Sequence, residues 1–150
     1  VNDHVRLVRT RFGVVRSPDG GALPKMIMPT RFGVTVSVGK PDHAFSWVAL
    51  DDLVNALAFI LEHGDVSGPV NVTAPERTTN EEFYKAVAEH FHTRASVRIP
   101  DAAVRLVMGE ASQVVTSGQC AEPETLLREG FEFQYPDIST FFHQAFPVKS

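Results

Sequence analysis

The stretch from residue 45 to residue 63 (FSWVALDDLVNALAFILEH) constrains this chain more than any other. It predicts a short strand followed by a helix. Leu53, Leu57, Ile60 and Leu61 recur at helical spacing, and Val54, Ala56 and Ala58 widen the apolar stripe. Asp51 or Asp52 is the expected cap, because a carboxylate there accepts from free backbone N–H groups and faces the positive end of the helix dipole. Gly64 follows as a C-terminal stop. A stripe this apolar needs a surface to pack on. Residues 68–75 (GPVNVTAP) predict a short buried strand next. Strand, helix and strand in that order make one layer of an α/β sheet.

The remaining segments extend this pattern. Residues 4–15 are rich in β-formers and predict a strand. Ser17-Pro-Asp-Gly-Gly21 is a turn by chemistry, since Pro18 fixes φ and two glycines permit positive φ. Residues 22–32 predict a helix with Leu23, Met26 and Ile27 on one side, ended or kinked by Pro29. Residues 34–38 predict a strand and residues 39–42 a turn. Thr79 and Glu82 stand at capping-box spacing, before a helix with Phe83, Val87 and Phe91 on its apolar face. Residues 96–99 read as extended and stop at Pro100. Asp101 is the expected cap of a helix over residues 102–115, with Gly109 weakening its middle. Residues 123–129 predict a helical turn closed by Gly130. Residues 131–135 (FEFQY) alternate like a strand, and a last helix starts at Pro136-Asp137 and carries Ile138, Phe141, Phe142 and Phe146.

Composition excludes several classes. The 150 residues suffice for one ordinary domain with a proper core. A net charge of −4 argues against nucleic acid or an anionic membrane as partner. No run reaches the length of a membrane span, and no signal peptide opens the chain. A single cysteine, Cys120, excludes an internal disulfide and fits a reducing, cytoplasmic compartment. The chain begins with Val1 rather than Met, which points to a processed or cropped boundary.

The search for chemistry returns mostly absences. The sequence has no Gly-x-Gly-x-x-Gly or Gly-x-x-Gly-x-x-Gly cradle for a dinucleotide, no Walker loop and no Gly-x-Ser-x-Gly elbow. Neither Tyr84 nor Tyr135 has a lysine four residues later, so no Tyr-x-x-x-Lys pair exists and no catalytic residue is assigned. His90 and His92 stand two apart on a helix and face different ways, so no metal site is expected. Cys120 lacks a basic neighbour in sequence and reads as structural or incidental.

Seven segments in one order carry a resemblance. They are Arg11-Phe-Gly-Val-Val15, residues 18–26 (PDGGALPKM), residues 46–52 (SWVALDD), residues 68–75, Thr79-Asn-Glu-Glu-Phe83, Met108-Gly-Glu110 and Gly130-Phe-Glu-Phe133. They are spread over nearly the whole chain, from residue 11 to residue 133. The sequence resembles the C-terminal half of the atypical short-chain dehydrogenase/reductases described as nucleoside-diphosphate-sugar epimerases. The resemblance implies an α/β fold: residues 1–97 as the substrate-side portion of a Rossmann-like domain, and residues 98–150 as a small C-terminal extension. It also implies that the dinucleotide fingerprint and the catalytic Tyr and Lys lie upstream of these residues, so the chain alone is expected to be inactive.

The same resemblance implies the site residues. The family binds NADP or NAD mainly through its other half, and Arg11 matches an arginine that contributes from this side. A guanidinium at a strand end suits a phosphate bidentately; a charge pair with a carboxylate is the plainer alternative. Substrate contacts fall by analogy on Gly20, Gly21, Met26 and Trp47, with a nucleotide sugar as the substrate class. For Trp47 a core position competes with ligand stacking. The sequence departs from the family where Val34-Thr-Val-Ser-Val38 replaces a glycine-rich run, at Ala49 for histidine, at Thr30 for phenylalanine and at Cys120-Ala-Glu122 for a more basic segment. These changes bear on the substrate rather than the fold. A non-catalytic module that dimerises or holds a partner is the competing class. Strands around residues 5–8 and 70–72 should expose edges when the other half is absent, so self-association is expected.

Overall fold

The computed structural model describes residues 5–100, 102–103 and 120–147. Its first extended segment changes partners at Gly13. Before that glycine, β1 (Val8–Phe12) runs parallel to β6 (Gly68–Val72), with Val8 opposite Gly68. After it, β2 (Val14–Arg16) runs parallel to β5 (Trp47–Ala49). A Cβ at Gly13 would stand 2.7 Å from backbone atoms of Ser46 and Trp47, so only glycine permits the crossing. The Gly13 N–H donates to the Val72 carbonyl at 3.2 Å and the Val14 N–H to the Ser46 carbonyl at 2.8 Å. One strand was expected over residues 4–15. The change of partner divides it.

β3 (Val34–Val38) pairs in parallel with β8 (Ala95–Ile99), and β4 (Ala44–Phe45) pairs antiparallel with β7 (Thr78–Thr79). The parallel pairs are joined through helices, which makes the chain an α/β fold. α1 (Leu23–Ile27) gives way to a 3₁₀ turn, Met28–Phe32, at the position of Pro29. Proline lacks the N–H that a continuing α-helix needs there.

α2 (Leu50–Glu62) buries Asp52, Leu53, Ala56 and Ile60. The expected stripe was wider, but Val54 and Leu61 face outward. The capping assignment for Asp51 and Asp52 also fails: Ala49 holds the N-cap position, with no side-chain hydrogen bond. α3 (Asn80–His90) is capped as the sequence predicts. Thr79 Oγ1 accepts from the Glu82 N–H at 3.2 Å, and Glu82 Oε2 accepts from the Thr79 N–H at 2.7 Å. α4 (Glu124–Arg128) is followed by Gly130 at φ 86°. α5 (Ile138–Ala145) is capped by Asp137, whose carboxylate accepts from the Thr140 N–H at 2.7 Å.

Two cores lie on the two faces of β5. Trp47 and Ala49 point into an aromatic cluster with Phe83, Tyr135, Phe141 and Phe142. Val48 points the other way, into an aliphatic cluster with Leu53, Ile60, Val70, Val72 and Leu126. Alternate side chains of a strand face opposite sides, and a parallel strand covered on both faces is apolar throughout. Residues 131–135 are not a strand, despite their alternation. Phe131 and Tyr135 are buried, but the segment packs as an extended loop. The helix expected over residues 102–115 falls almost wholly outside the described residues, as does Met108-Gly-Glu110.

Candidate functional site

The carboxyl ends of β1 and β6 open into a cleft of about 620 Å³, lined by Arg11, Phe12, Ser46, Asn71, Thr73 and Cys120 among others. Ligands of open α/β sheets bind outside the carboxyl ends of strands, so this is the expected end. Arg11 stands opposite Asn71 in the pairing and is solvent-exposed. Among the described residues it forms no ion pair. Side chains in β6 and beside β5 and β6 fix one wall. The Ala121 N–H donates to Ser46 Oγ at 2.8 Å, Thr73 Oγ1 donates to the Ala121 carbonyl at 3.0 Å, and Asn71 Nδ2 donates to the Glu122 carbonyl at 3.1 Å. These bonds hold the exposed, free Cys120 against the cleft.

The other candidate residues do not line this cleft. Gly20 and Gly21 sit in the exposed turn after β2, Gly21 at φ 74°, and a Cβ on either would meet nothing within 4 Å. Met26 is partly buried on α1, and Arg16 Nη1 donates to its sulfur at 3.3 Å. Trp47 is completely buried. Its Nε1–H donates to Thr78 Oγ1 at 3.1 Å, and its ring stands edge-on to Phe141 with centroids 5.5 Å apart. The indole is therefore a core element and presents no open face to a ligand. His90 Nε2 lies 2.7 Å from the Phe146 carbonyl oxygen, and among the described residues no group of side chains is arranged to hold a metal ion.

Two charged residues carry more structure than their sequence context predicts. Asp52 is 1% exposed, and its two carboxylate oxygens accept from the Gln134 and Tyr135 N–H groups at 2.8 and 2.9 Å. Asp51 accepts from the Tyr135 hydroxyl at 3.3 Å. The pair thus clasps residues 134–135 to the start of α2. Burial raises the Asp52 carboxyl above the usual range, while the two backbone donors pull it back. Arg16, the last residue of β2, is buried against the rings of Phe45 and Phe83. An acidic pair opening a helix reads as a cap, and an arginine before a Ser-Pro turn reads as a surface charge. Neither sequence signal reveals the burial.

The model called Domain of unknown function (DUF1731) matches residues 99–145. Over 133 residues the chain is 32% identical to an epimerase family protein of Staphylococcus aureus and 35% identical to one of Staphylococcus epidermidis; each alignment covers 89% of this chain and 44% of the relative. The crystal structure of human epimerase family protein SDR39U1 with NADPH superposes with a TM-score of 0.89 at 30% identity, over 99% of this chain and 51% of that one. By these likenesses the chain matches the C-terminal part of atypical short-chain dehydrogenase/reductases of the epimerase family.

It spans about half the length of these epimerase-family relatives. A Thermus thermophilus UDP-glucose 4-epimerase in complex with NAD shares the Rossmann-like fold, with a TM-score of 0.65 at 18% identity over 97% of this chain and 48% of that one. The described part of residues 99–145 contributes to both cores, Leu126 and Phe131 in one and Phe141 and Phe142 in the other. Among the described residues no helix is long and apolar enough to cross a membrane.

Proposed function

We propose that this chain forms the substrate side of a cytoplasmic, NAD(P)-dependent epimerase or reductase acting on a nucleotide sugar, and that it does not turn over substrate alone. The observation that carries the reading is Arg11. It is an exposed guanidinium without an ion pair among the described residues, at the carboxyl end of a parallel pair, in a fold that superposes on a protein crystallised with NADPH. Arg11 would hold a cofactor phosphate through its planar fork. When bound, the dinucleotide would supply hydride transfer. The residues of this chain would shape and dry the site: the Gly20-Gly21 turn and α1 as a wall, residues 98–150 as an extension whose described part braces both cores.

Calorimetric titration with NADPH tests this. The chain alone should show no heat of binding. Clear one-to-one binding would place a complete nucleotide site within these residues and overturn the half-site. Adding the N-terminal half of the Staphylococcus aureus relative in trans should restore binding, weakened about tenfold by Arg11→Ala.

Exposed apolar side chains favour a second reading. Val5 and Leu7 ahead of β1, Phe12 at its end and Val14 in β2 leave apolar side chains exposed. A non-catalytic module that dimerises through these strands would show concentration-dependent association in sedimentation velocity; a strictly monomeric profile at high concentration would exclude it.

A further inference from the structure

Arg16 ends β2 with its side chain turned into the molecule, 6% exposed. Its guanidinium carbon lies 4.7 Å from the Phe83 ring centroid and 5.4 Å from that of Phe45. The two rings favour a cation through their quadrupoles. Nη1 donates to the Met26 thioether, a weak acceptor. Nε is buried with no hydrogen-bond partner. Among the described residues no carboxylate pairs with it. Burial lowers its pKa to about 10, against the opposing influence of Tyr84, so the group stays cationic at neutral pH. Burial also pushes the Tyr84 phenol up, so Tyr84 remains neutral and is no counter-ion. A buried cation without an anion is costly, and each such group in a native structure asks for a partner.

We propose that Arg16 anchors a ligand subsite, separate from the Arg11 cleft, which takes a small-molecule oxyanion, carboxylate or phosphate, in place of the Met26 thioether. The location fits, because Arg16 lies at the carboxyl end of the parallel pair β2–β5, where ligands of open α/β sheets are held. The chemistry fits, because the guanidinium fork matches two oxygens of one oxyanion. The cover can yield. Met26 is flexible about three bonds. It sits on a five-residue helix that follows the exposed Gly20-Gly21 turn and continues into a 3₁₀ turn with Met28 and Phe32 outward. The inference rests on reading this side as the substrate side, and its test leaves out the dinucleotide so that the two can fail separately.

The experiment is thermal unfolding of the full chain with inorganic pyrophosphate, and separately with malonate, each against potassium chloride at equal ionic strength. At least one of the two should raise the Tm saturably by about 3 °C. Arg11→Ala should keep the rise. Arg16→Met should lose it, and Arg16→Lys should keep only part of it, because a point charge lacks the fork. A response to pyrophosphate alone assigns a phosphate ligand, and one to malonate alone a carboxylate. No rise beyond chloride with either probe, or an equal rise in Arg16→Met or a loss in Arg11→Ala, would overturn the proposal. Arg16→Lys serves as the deciding variant if Arg16→Met does not fold.

Discussion

Asp52 and Arg16 flank the same strand pair, one in the first turn of the helix that leaves β5 and the other at the end of β2. Both are buried and charged. Asp52 has its oxygens filled by two backbone N–H groups of a segment more than eighty residues away. Arg16 has two aromatic faces, one thioether and an empty Nε. The first is a closed structural device that organises residues 134–135. The second is an open valence. Burial does not tell a structural charge from a binding one; the completeness of its hydrogen bonding does.

That contrast can be broken at several points. Asp52→Ala should have the largest effect. It leaves the Gln134 and Tyr135 N–H groups without acceptors and frees the loop from α2, and urea unfolding should show a loss of about 3 kcal/mol. A loss below about 1 kcal/mol would mean that water or a neighbour replaces the carboxylate.

Asp52→Asn sharpens the same point through pH. The folded carboxyl titrates above its ordinary value because of burial, so the folded state holds more protons than the unfolded state over that interval. The stability of the unsubstituted chain should therefore fall as pH rises from the ordinary carboxylate range through the raised one. Asp52→Asn should lack this contribution, so that its stability falls less steeply with rising pH than that of the unsubstituted chain, as denaturant midpoints across pH 3–7 would show.

Arg16→Met should move the other way, with a gain of about 1 kcal/mol in the same unfolding measurement, because an unpaired buried charge is exchanged for an apolar side chain of similar reach. A loss of that size would show that the aromatic faces satisfy the cation, and the contrast with Asp52 would collapse. Asp51→Asn should be the smallest change, within about 0.5 kcal/mol, since Asp51 is exposed and its single 3.3 Å contact with the Tyr135 hydroxyl survives as a neutral hydrogen bond.

Local chemistry was legible in the sequence wherever the deciding partner lies close in the chain. The Thr79–Glu82 capping box is three residues wide, and the change at Pro29 follows from one missing N–H. The limits of β3 fall between Gly33 and Gly39, around a segment in which four of five residues are β-branched. Misreadings began where remote segments decide. Residues 131–135 alternate like a strand, yet the N–H groups of Gln134 and Tyr135 are taken by Asp52 and no ladder forms. Asp51 and Asp52 have the chemistry of caps but are claimed by that same segment. Val54 and Leu61 are apolar at helical spacing, but no described element covers them. Arg11 is marked in the sequence by the family resemblance of its segment. Arg16 is not, because its burial is produced by α1, β4 and α3 together.

The pairing of distant strands governs how such a chain comes to be folded. Val8 meets Gly68 and Val34 meets Ala95, and the described strands join no chain neighbours into a hairpin. During synthesis β1 and β3 therefore leave the ribosome well before β6 and β8 exist to receive them. Closing such long loops before any sheet contact forms slows folding. Through that interval the nascent chain carries unpaired, apolar strands, and chaperone capture competes with misassembly for them.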